Sequence, residues 1–361
     1  MTKSSAGPSR SRHRPDSLPR AEKTVEDAPR DDDEFVRLAE PFRRELLVHC
    51  YRMLGSLHDA EDLVQETYLR AWRGYGRFEG RSSLRIWLYR IATSACLSAL
   101  EHRSRRVLPT GLGAPNTDAF GLGPAAVPEE VRWLQPLPDQ VGDDPAAIVA
   151  VRDSVRLAFI AALQHLSAKQ RAVLILRDVM GWHAAEVADL LDTTTIAVNS
   201  ALRRARAQLE KAAPSHDELT EPGDPRRREM LELYTAAFET ADVPGLVRLL
   251  RDDGVVEMPP DLFWFRGRES FRTFLAARFP DAPVLGGRRF ALRAISANGQ
   301  PAAAAYIAGE DGRWHARAIQ VLTVTAAGIS HIVSFNDESL FDDFGLPTVL
   351  DGAAGTGPWR R

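Results

Sequence analysis

The chain has 361 residues, too many for one ordinary domain and suited to two or three. Hydrophobic residues make up 44% and charged residues 26%, as in globular proteins, and a net charge of -3 excludes a general attraction to nucleic acid, so any such site must come from local basic clusters. Two cysteines, Cys50 and Cys96, exclude a disulfide framework and fit a reducing cytosol, while the absence of a long apolar run or a signal-peptide core predicts a cytoplasmic chain without membrane contact.

Residues 1–33 are rich in Ser, Pro, Arg and Asp and read as a disordered tail. From 34 to 106 the pattern is helical. Pro41 suits a first turn, Phe42, Leu46, Leu47, Cys50, Tyr51 and Leu54 recur at helical spacing, and Gly55 ends that helix. In the next, Asp59–Trp72, the residues Ala60, Leu63, Val64, Thr67, Tyr68, Ala71 and Trp72 form an apolar stripe. Glu61, Asp62, Gln65 and Glu66 gather on another face together with Leu69, and every charge before Arg70 is negative. A solvated face usually mixes charges that pair at i,i+4, so a docking face for a basic partner stands beside the plainer reading of an acidic surface helix.

Ser83 caps a third helix from Leu84 to about Arg103, which carries Arg85, Arg90 and Arg103, followed by Arg105 and Arg106, against the single acid Glu101. Tyr75, Phe78 and Arg81 lie in the glycine-broken loop before it, and Trp87 and Tyr89 near its start. Aromatic rings interleaved with arginines suit unstacked single-stranded bases, although Phe78 and Trp87 could each be core residues.

Residues 107–145 contain seven Pro and five Gly and hold no periodic pattern, the composition of a linker. Within it Trp133-Leu134-Gln135-Pro136-Leu137-Pro138 is an apolar cluster ill suited to water. Helices return over 146–213, with Val151, Val155, Ala158, Phe159 and Ala162 in one and Ser167 capping another. His183 to Arg206 reads as a helix-turn-helix, with Ala185, Val187, Ala188 and Leu191 inward in the first helix and Ile196, Val198 and Leu202 inward in the second. Thr194 caps the second, leaving Thr195, Asn199, Ser200, Arg203, Arg204 and Arg206 for base edges and phosphates; an αα-hairpin without function would share the apolar positions alone. The last segment, 226–347, opens with two amphipathic helices and turns to a period of two around Asn298-Gly299 and Ala327-Gly328, which predicts an α+β domain of antiparallel strands.

These motifs, in this order, resemble the extracytoplasmic function RNA polymerase sigma factors of the sigma-70 family, over Pro41–Arg106 and Ala146–Lys211. The resemblance implies that Asp59, Glu61, Asp62, Gln65, Glu66 and Leu69 bind the clamp helices of the largest catalytic subunit of RNA polymerase core. It also implies that Tyr75, Phe78, Arg81, Trp87, Arg90, Arg103 and Arg105 open the promoter at its -10 element. Thr194, Thr195, Asn199, Ser200, Arg203, Arg204 and Arg206 would read its -35 element, although family members often carry basic residues where Asn199 and Ala201 stand. Residues 226–347 resemble the SnoaL-like, NTF2-like cone domain of the sigma-G type, and Trp133, Leu134 and Pro136 resemble a linker motif that in related fused factors contacts this domain.

The implied architecture is multidomain: two all-α sigma domains, the second a helix-turn-helix, followed by an α+β NTF2-like cone. Asp261, Trp264, Tyr306 and His315 are the candidate lining of a cone pocket for a small ligand. His331 and Asp337 complete the ionisable set, but fold analogy supplies no chemistry. The expectation is therefore a transcription initiation factor, not an enzyme, with no catalytic residue, metal or cofactor, whose cone domain modulates its activity. The alternative is a SnoaL-like enzyme or small-molecule receptor fused to a DNA-binding region and acting as a conventional regulator.

Overall fold

A short helix α1 (Asp32–Ala39) leads into α2 (Arg43–Leu54), α3 (Leu57–Tyr75) and α4 (Leu84–Glu101), in a computed structural model that describes residues 32–101, 104–116, 128, 130–139, 153–212, 224–277, 279 and 289–351. The expected tail up to residue 31, Arg103 and much of the Pro/Gly-rich stretch lie outside the described residues. Helix α2 stops at Gly55, whose positive φ of 70° lets its N–H return to the Tyr51 carbonyl at 2.7 Å. Ser56 then caps α3 by accepting from the Asp59 N–H at 3.2 Å, and Ser83 caps α4 through the Ile86 N–H at 3.2 Å. Leu46, Cys50, Met53, Ala60, Val64, Leu88, Ala92 and Cys96 close the core among them.

The second helical group starts with a turn (Asp153–Val155), and extended backbone at Arg156 separates it from α5 (Leu157–Leu163), so the single helix expected around Val155 to Ala162 is broken there. Helix α6 (Ala168–Leu174) has a complete capping box between Ser167 and Gln170 and widens into a π turn (Ile175–Val179). The helix-turn-helix follows as α7 (Ala184–Leu190) and α8 (Thr195–Ala212), with the Thr194 hydroxyl accepting from the Ala197 N–H at 3.2 Å. In α8 the buried positions are Val198, Leu202 and Ala205, so Ile196, two residues out of that phase, points to solvent at 78% exposure and not inward. Ala185 is likewise exposed, and Val187 and Ala188 form the inner face of α7.

The C-terminal domain begins with α9 (Pro225–Glu239) and α10 (Val243–Leu249). It continues through β3 (Leu250–Glu257), β4 (Trp264–Arg266), α11 (Arg268–Ala276), β5 (Phe290–Ala297), β6 (Gln300–Ala308), β7 (Trp314–Thr325), β8 (Gly328–Phe335), α12 (Leu340–Asp343) and β9 (Val349–Leu350). The strands run in the order β4-β3-β8-β7-β6-β5 with β9 beside β7, and all pair antiparallel except β3 with β8, which makes the sheet mixed. Asn298-Gly299 forms the two-residue β5–β6 turn with φ values of 56° and 66°.

The sheet is buried on both faces. One packs under α9, α10 and α11 around Tyr234, Phe274, Ala303 and Leu322, while the other joins the core of the sigma-like helices through Ala304, Tyr306, Ile319 and Val321. This explains why β6, with the run Ala302–Ala305, lacks the alternation of a one-sided strand.

The Pro/Gly-rich stretch has structure where it is described. β1 (Arg106–Val107) pairs in parallel with β2 (Arg132–Trp133), and a 3-10 turn (Pro109–Gly111) follows β1. The Thr110 N–H donates to buried Glu257 at 2.7 Å, and Asn116 exchanges bonds with the backbone of Trp264 at 2.8 and 3.0 Å, tying this stretch to the β3–β4 edge. The buried backbone groups of Leu134 and Gln135 find partners at Val107 and Gly55, both at 3.1 Å.

Candidate docking and nucleic-acid interfaces

Glu61, Asp62, Gln65 and Leu69 lie exposed on one side of α3, with Glu66 half-buried beside them and bonded to Arg70 at 2.6 Å. Asp59 is set apart from this face. Its carboxylate receives Arg106 at 2.7 Å and Arg132 at 3.1 Å, so the paired strands of the linker clasp the first turn of α3. At the same end His58 Nε2 lies 3.0 Å from Asp343 of α12, and Gln135 Nε2 lies 3.2 Å from His58 Nδ1. Burial raises the Asp343 pKa, and His58 opposes that shift.

The aromatic group beyond α3 is one packed unit. Tyr75 and Phe78 stack at 6.3 Å between centroids, Phe78 meets Trp87 at 4.9 Å, and Phe35 from α1 covers Tyr75 at 5.2 Å. Gly74 permits this, since a Cβ there would come within 3.3 Å of the Trp87 ring. Phe78 and Trp87 stay half-buried, each with one side in solvent. Arg90 is exposed, Arg81 pairs with Glu79 at 2.5 Å, and Arg105 reaches His165 of the second helical group at 3.2 Å. Arg85 is bound by Glu45 at 2.8 to 3.0 Å and lies over the Tyr89 ring at 5.0 Å, where it braces α4 against α2.

On α8, Ile196, Asn199, Ser200 and Arg203 fall at i, i+3, i+4 and i+7 and share a face; Ser200 is half-buried and the others are exposed. Thr195 and Arg204 flank that face, while Arg206 is held by Asp178 at 2.7 and 2.8 Å. Ile196, like Ala185, lies outside the inner face that the apolar spacing predicts. Counting back in steps of three and four from Ala205 through Leu202 and Val198 places it outside.

Residues with no place in the sequence pattern join the three helical and sheet units. Asn298 is fully buried at the β5–β6 turn; its amide nitrogen donates to the Tyr51 hydroxyl at 2.8 Å and to the Val155 carbonyl at 2.7 Å. Its amide oxygen accepts from the Leu137 N–H at 2.9 Å, and its own N–H donates to the Leu137 carbonyl at 2.8 Å. The Tyr51 hydroxyl in turn donates to the Gln135 carbonyl at 2.8 Å, and Ser56 binds the Gln135 side chain at 2.6 Å. Leu134 fills the notch above Gly55, where a Cβ would stand 2.5 Å from Leu134 Cδ2. Leu134 and Pro136 are buried, Leu134 against Gly55 of the first helical group, and Trp133 is half-buried in β2.

Two arginines cross between the helical groups. Arg171 of α6 donates to the Met53 carbonyl and to Gln164 Oε1 at 2.7 Å, and Arg52 donates to Ser154 at 2.5 Å. Both are over 95% buried, and burial lowers each pKa to about 10, with no carboxylate among the described residues to oppose it. His49 beside them, bonded to Thr93 at 3.0 Å, is pushed down to about 3 by burial and by Arg52.

Of the four residues proposed to line the cone, only Asp261 does so. The Trp264 indole donates to the Gly113 carbonyl at 3.1 Å and packs under the linker, because β4 is an edge strand that the linker covers. Tyr306 points to the sigma-like side, where its hydroxyl donates to Pro347 O at 3.0 Å. His315 sits beyond the cone beside exposed Asp311, at 3.0 Å. Tyr306 follows the regular alternation of β6, in which Ala302, Ala304 and Tyr306 face the sigma-like core and Ala303 and Ala305 face the cone.

Comparison with known proteins agrees with this layout. Family profiles for sigma-70 region 2, sigma-70 region 4 and the SnoaL-like domain match residues 38–106, 156–209 and 231–332. The chain is 52% identical over 320 residues to the ECF RNA polymerase sigma factor SigG of Mycobacterium tuberculosis, covering 88% of this chain and 85% of that one. It is 29% identical over 216 residues to SigJ of the same organism, covering 59% and 61%. The crystal structure of SigJ shares the fold at a TM-score of 0.57 and 24% identity, covering 87% of this chain and 99% of that one.

Proposed function

Because this chain belongs to the ECF RNA polymerase sigma factors, and so directs core polymerase to promoters, we propose that the arrangement described here is its closed form, held shut by the C-terminal domain through Asn298. The family excludes an enzyme or a conventional operator-binding regulator as its main role. In this reading Glu61, Asp62, Gln65, Glu66 and Leu69 dock on the clamp helices of the largest catalytic subunit, in the cytoplasm. Tyr75, Phe78, Trp87 and Arg90 take the -10 strand, and Ile196, Asn199, Ser200 and Arg203 face the -35 element.

The observation that carries the closed form is the direct contact between the two helical groups. Arg171 donates to Met53 O, and Tyr89 meets Trp182 edge-on at 5.7 Å. The -10 and -35 elements are by name about 25 base pairs apart, roughly 85 Å at the duplex rise of 3.4 Å per step. Helical groups in contact do not reach both, so they must separate on the promoter. The uncompensated burial of Arg52 and Arg171 makes that separation easier than parting an equally large apolar interface.

Energy transfer between dyes at exposed positions 98 and 207 of the full chain tests this. High transfer in the free protein should fall when core polymerase and promoter DNA are added. Transfer that stays high in a complex active in run-off transcription would show that the two groups never part.

A further inference from the structure

The C-terminal domain holds a cavity of about 150 Å³ between its sheet and helices α9 and α11, lined entirely by its own residues. Its floor is set low by Ala305 and Ala318, paired across the β6–β7 ladder, where larger side chains would reach the helices. Phe238, Phe279 and Phe290 pack edge-on at 5.3 to 6.0 Å, an aromatic wall whose interlocked rings hold the space open.

Two polar groups address this space. Gln320 is only 6% exposed and lines the cavity; its oxygen accepts from the Tyr234 hydroxyl at 3.1 Å, and its amide nitrogen has no partner among the described residues. That nitrogen is left to donate to water or a ligand in the cavity. Arg317 is the second. Ala305 pairs with Ala318 but Tyr306 pairs with Ala316, which makes Arg317 the additional residue of the bulge. Ala316 packs toward the sigma core and Ala318 toward the cone, and the bulge between them places Arg317 at the cavity. No carboxylate pairs with Arg317 among the described residues, and the nearby acid Asp261 is already bonded by Asn336 at 3.3 Å.

We infer that the cone is a receptor site for a small single-ring aromatic carboxylate, its carboxylate on Arg317 and a polar ring substituent on Gln320. The volume sets the size, because a cavity of about 150 Å³ admits one benzene ring and nothing much larger. The aromatic wall sets the ring, and the unpaired guanidinium sets the charge. This site does not depend on the closed-form reading, and its test leaves that reading untouched.

Isothermal titration of the full chain with 4-hydroxybenzoate, benzoate, phenol and benzylamine provides the test. Binding should weaken in that order, with benzylamine showing none. Arg317→Gln should bring benzoate down at least 10-fold, to the level of phenol, and Gln320→Leu should erase the advantage of 4-hydroxybenzoate over benzoate. Ala318→Leu, which fills the floor, should abolish binding of all four with run-off activity retained; if that variant does not fold, the exposed Arg317→Gln change decides alone. The inference is overturned if neither carboxylate binds, if benzylamine binds as well as benzoate, or if Arg317→Gln leaves benzoate affinity unchanged.

Discussion

The amide nitrogen of Asn298 donates to the hydroxyl of Tyr51 across 2.8 Å, although 247 residues separate them in the chain. Asn298 belongs to the C-terminal sheet and Tyr51 to the first helical domain, and the same amide nitrogen also holds Val155 of the second. One side chain thus carries bonds from all three units. Asn298→Gly keeps the positive φ the turn requires and removes the side-chain bonds to Tyr51, Val155 and Leu137, at about 1 kcal/mol for each net interaction. The closed form should lose roughly 2–3 kcal/mol, seen as higher run-off output at limiting core polymerase and a larger radius by X-ray scattering. Unchanged scattering together with unchanged output would remove Asn298 from the latch.

Asp59 and Asp62 should separate by function although they are three residues apart. Changing Asp62 and Glu66 together to Lys should abolish binding to core polymerase, because it reverses the exposed acidic face. Asp59→Asn should leave core binding within about threefold and instead weaken the linker clasp from Arg106 and Arg132, read as faster amide exchange in β1 and β2. Core binding lost equally in both variants would return Asp59 to the docking face.

His49 predicts acid sensitivity. Its folded pKa is about 3 against 6.5 in the unfolded chain, so below pH 6.5 the unfolded chain takes up a proton that the folded protein refuses. The contribution is intact above pH 6.5 and falls by about 1.4 kcal/mol for each pH unit toward 3. Denaturant midpoints measured from pH 7 to 5 should drop by roughly 2 kcal/mol in stability, and His49→Gln should flatten that slope.

Ile196 should contribute to promoter choice. An apolar side chain exposed at the start of the recognition helix, beside Asn199 and Arg203, matches a thymine methyl in the major groove. Selection from a randomised -35 element should yield thymine at one position. Replacing that thymine with deoxyuridine should weaken wild-type binding about 3- to 10-fold and leave Ile196→Ala indifferent, a loss on the order of 1 kcal/mol. If the wild type tolerates deoxyuridine equally well, Ile196 reads nothing there.

Gly55 offers a test of the linker. Alanine there must accept φ of 70° and a Cβ 2.5 Å from Leu134 Cδ2, so Leu134 should leave its notch. Amide exchange at Gln135, whose N–H is bonded to the Gly55 carbonyl, should quicken more than tenfold while exchange within α4 stays the same.

The sequence made the helices legible because each sigma-like element carries its own signals: Ser83 and Ser167 at helix starts, Gly55 at a stop, and helical apolar spacing between. It also exposed the order of acidic face, arginine-aromatic helix and helix-turn-helix, on which the family resemblance rests. The Asn298 bonds are illegible because they are long-range contacts. Nothing local distinguishes Asn298 in an Asn-Gly turn from a solvent-exposed hairpin, and nothing in a Pro-rich stretch announces that Leu134 will sit on Gly55. The cone lining went wrong for a further reason. Residue type named the candidates there, but the alternation along β6 turns Tyr306 to the sigma-like side, and the Asp311 carboxylate holds His315 beyond the cone.

Strand β6 has one more consequence. From Ala302 to Ala305 it is a partition one methyl group thick, with the ring-lined cavity behind it and the promoter-binding helices in front. Longer side chains would give such a wall rotamers with which to yield, but alanine has none, and a close-packed interior passes displacement on. The cavity and the sigma-like core are thus separated by a single alanine-lined strand.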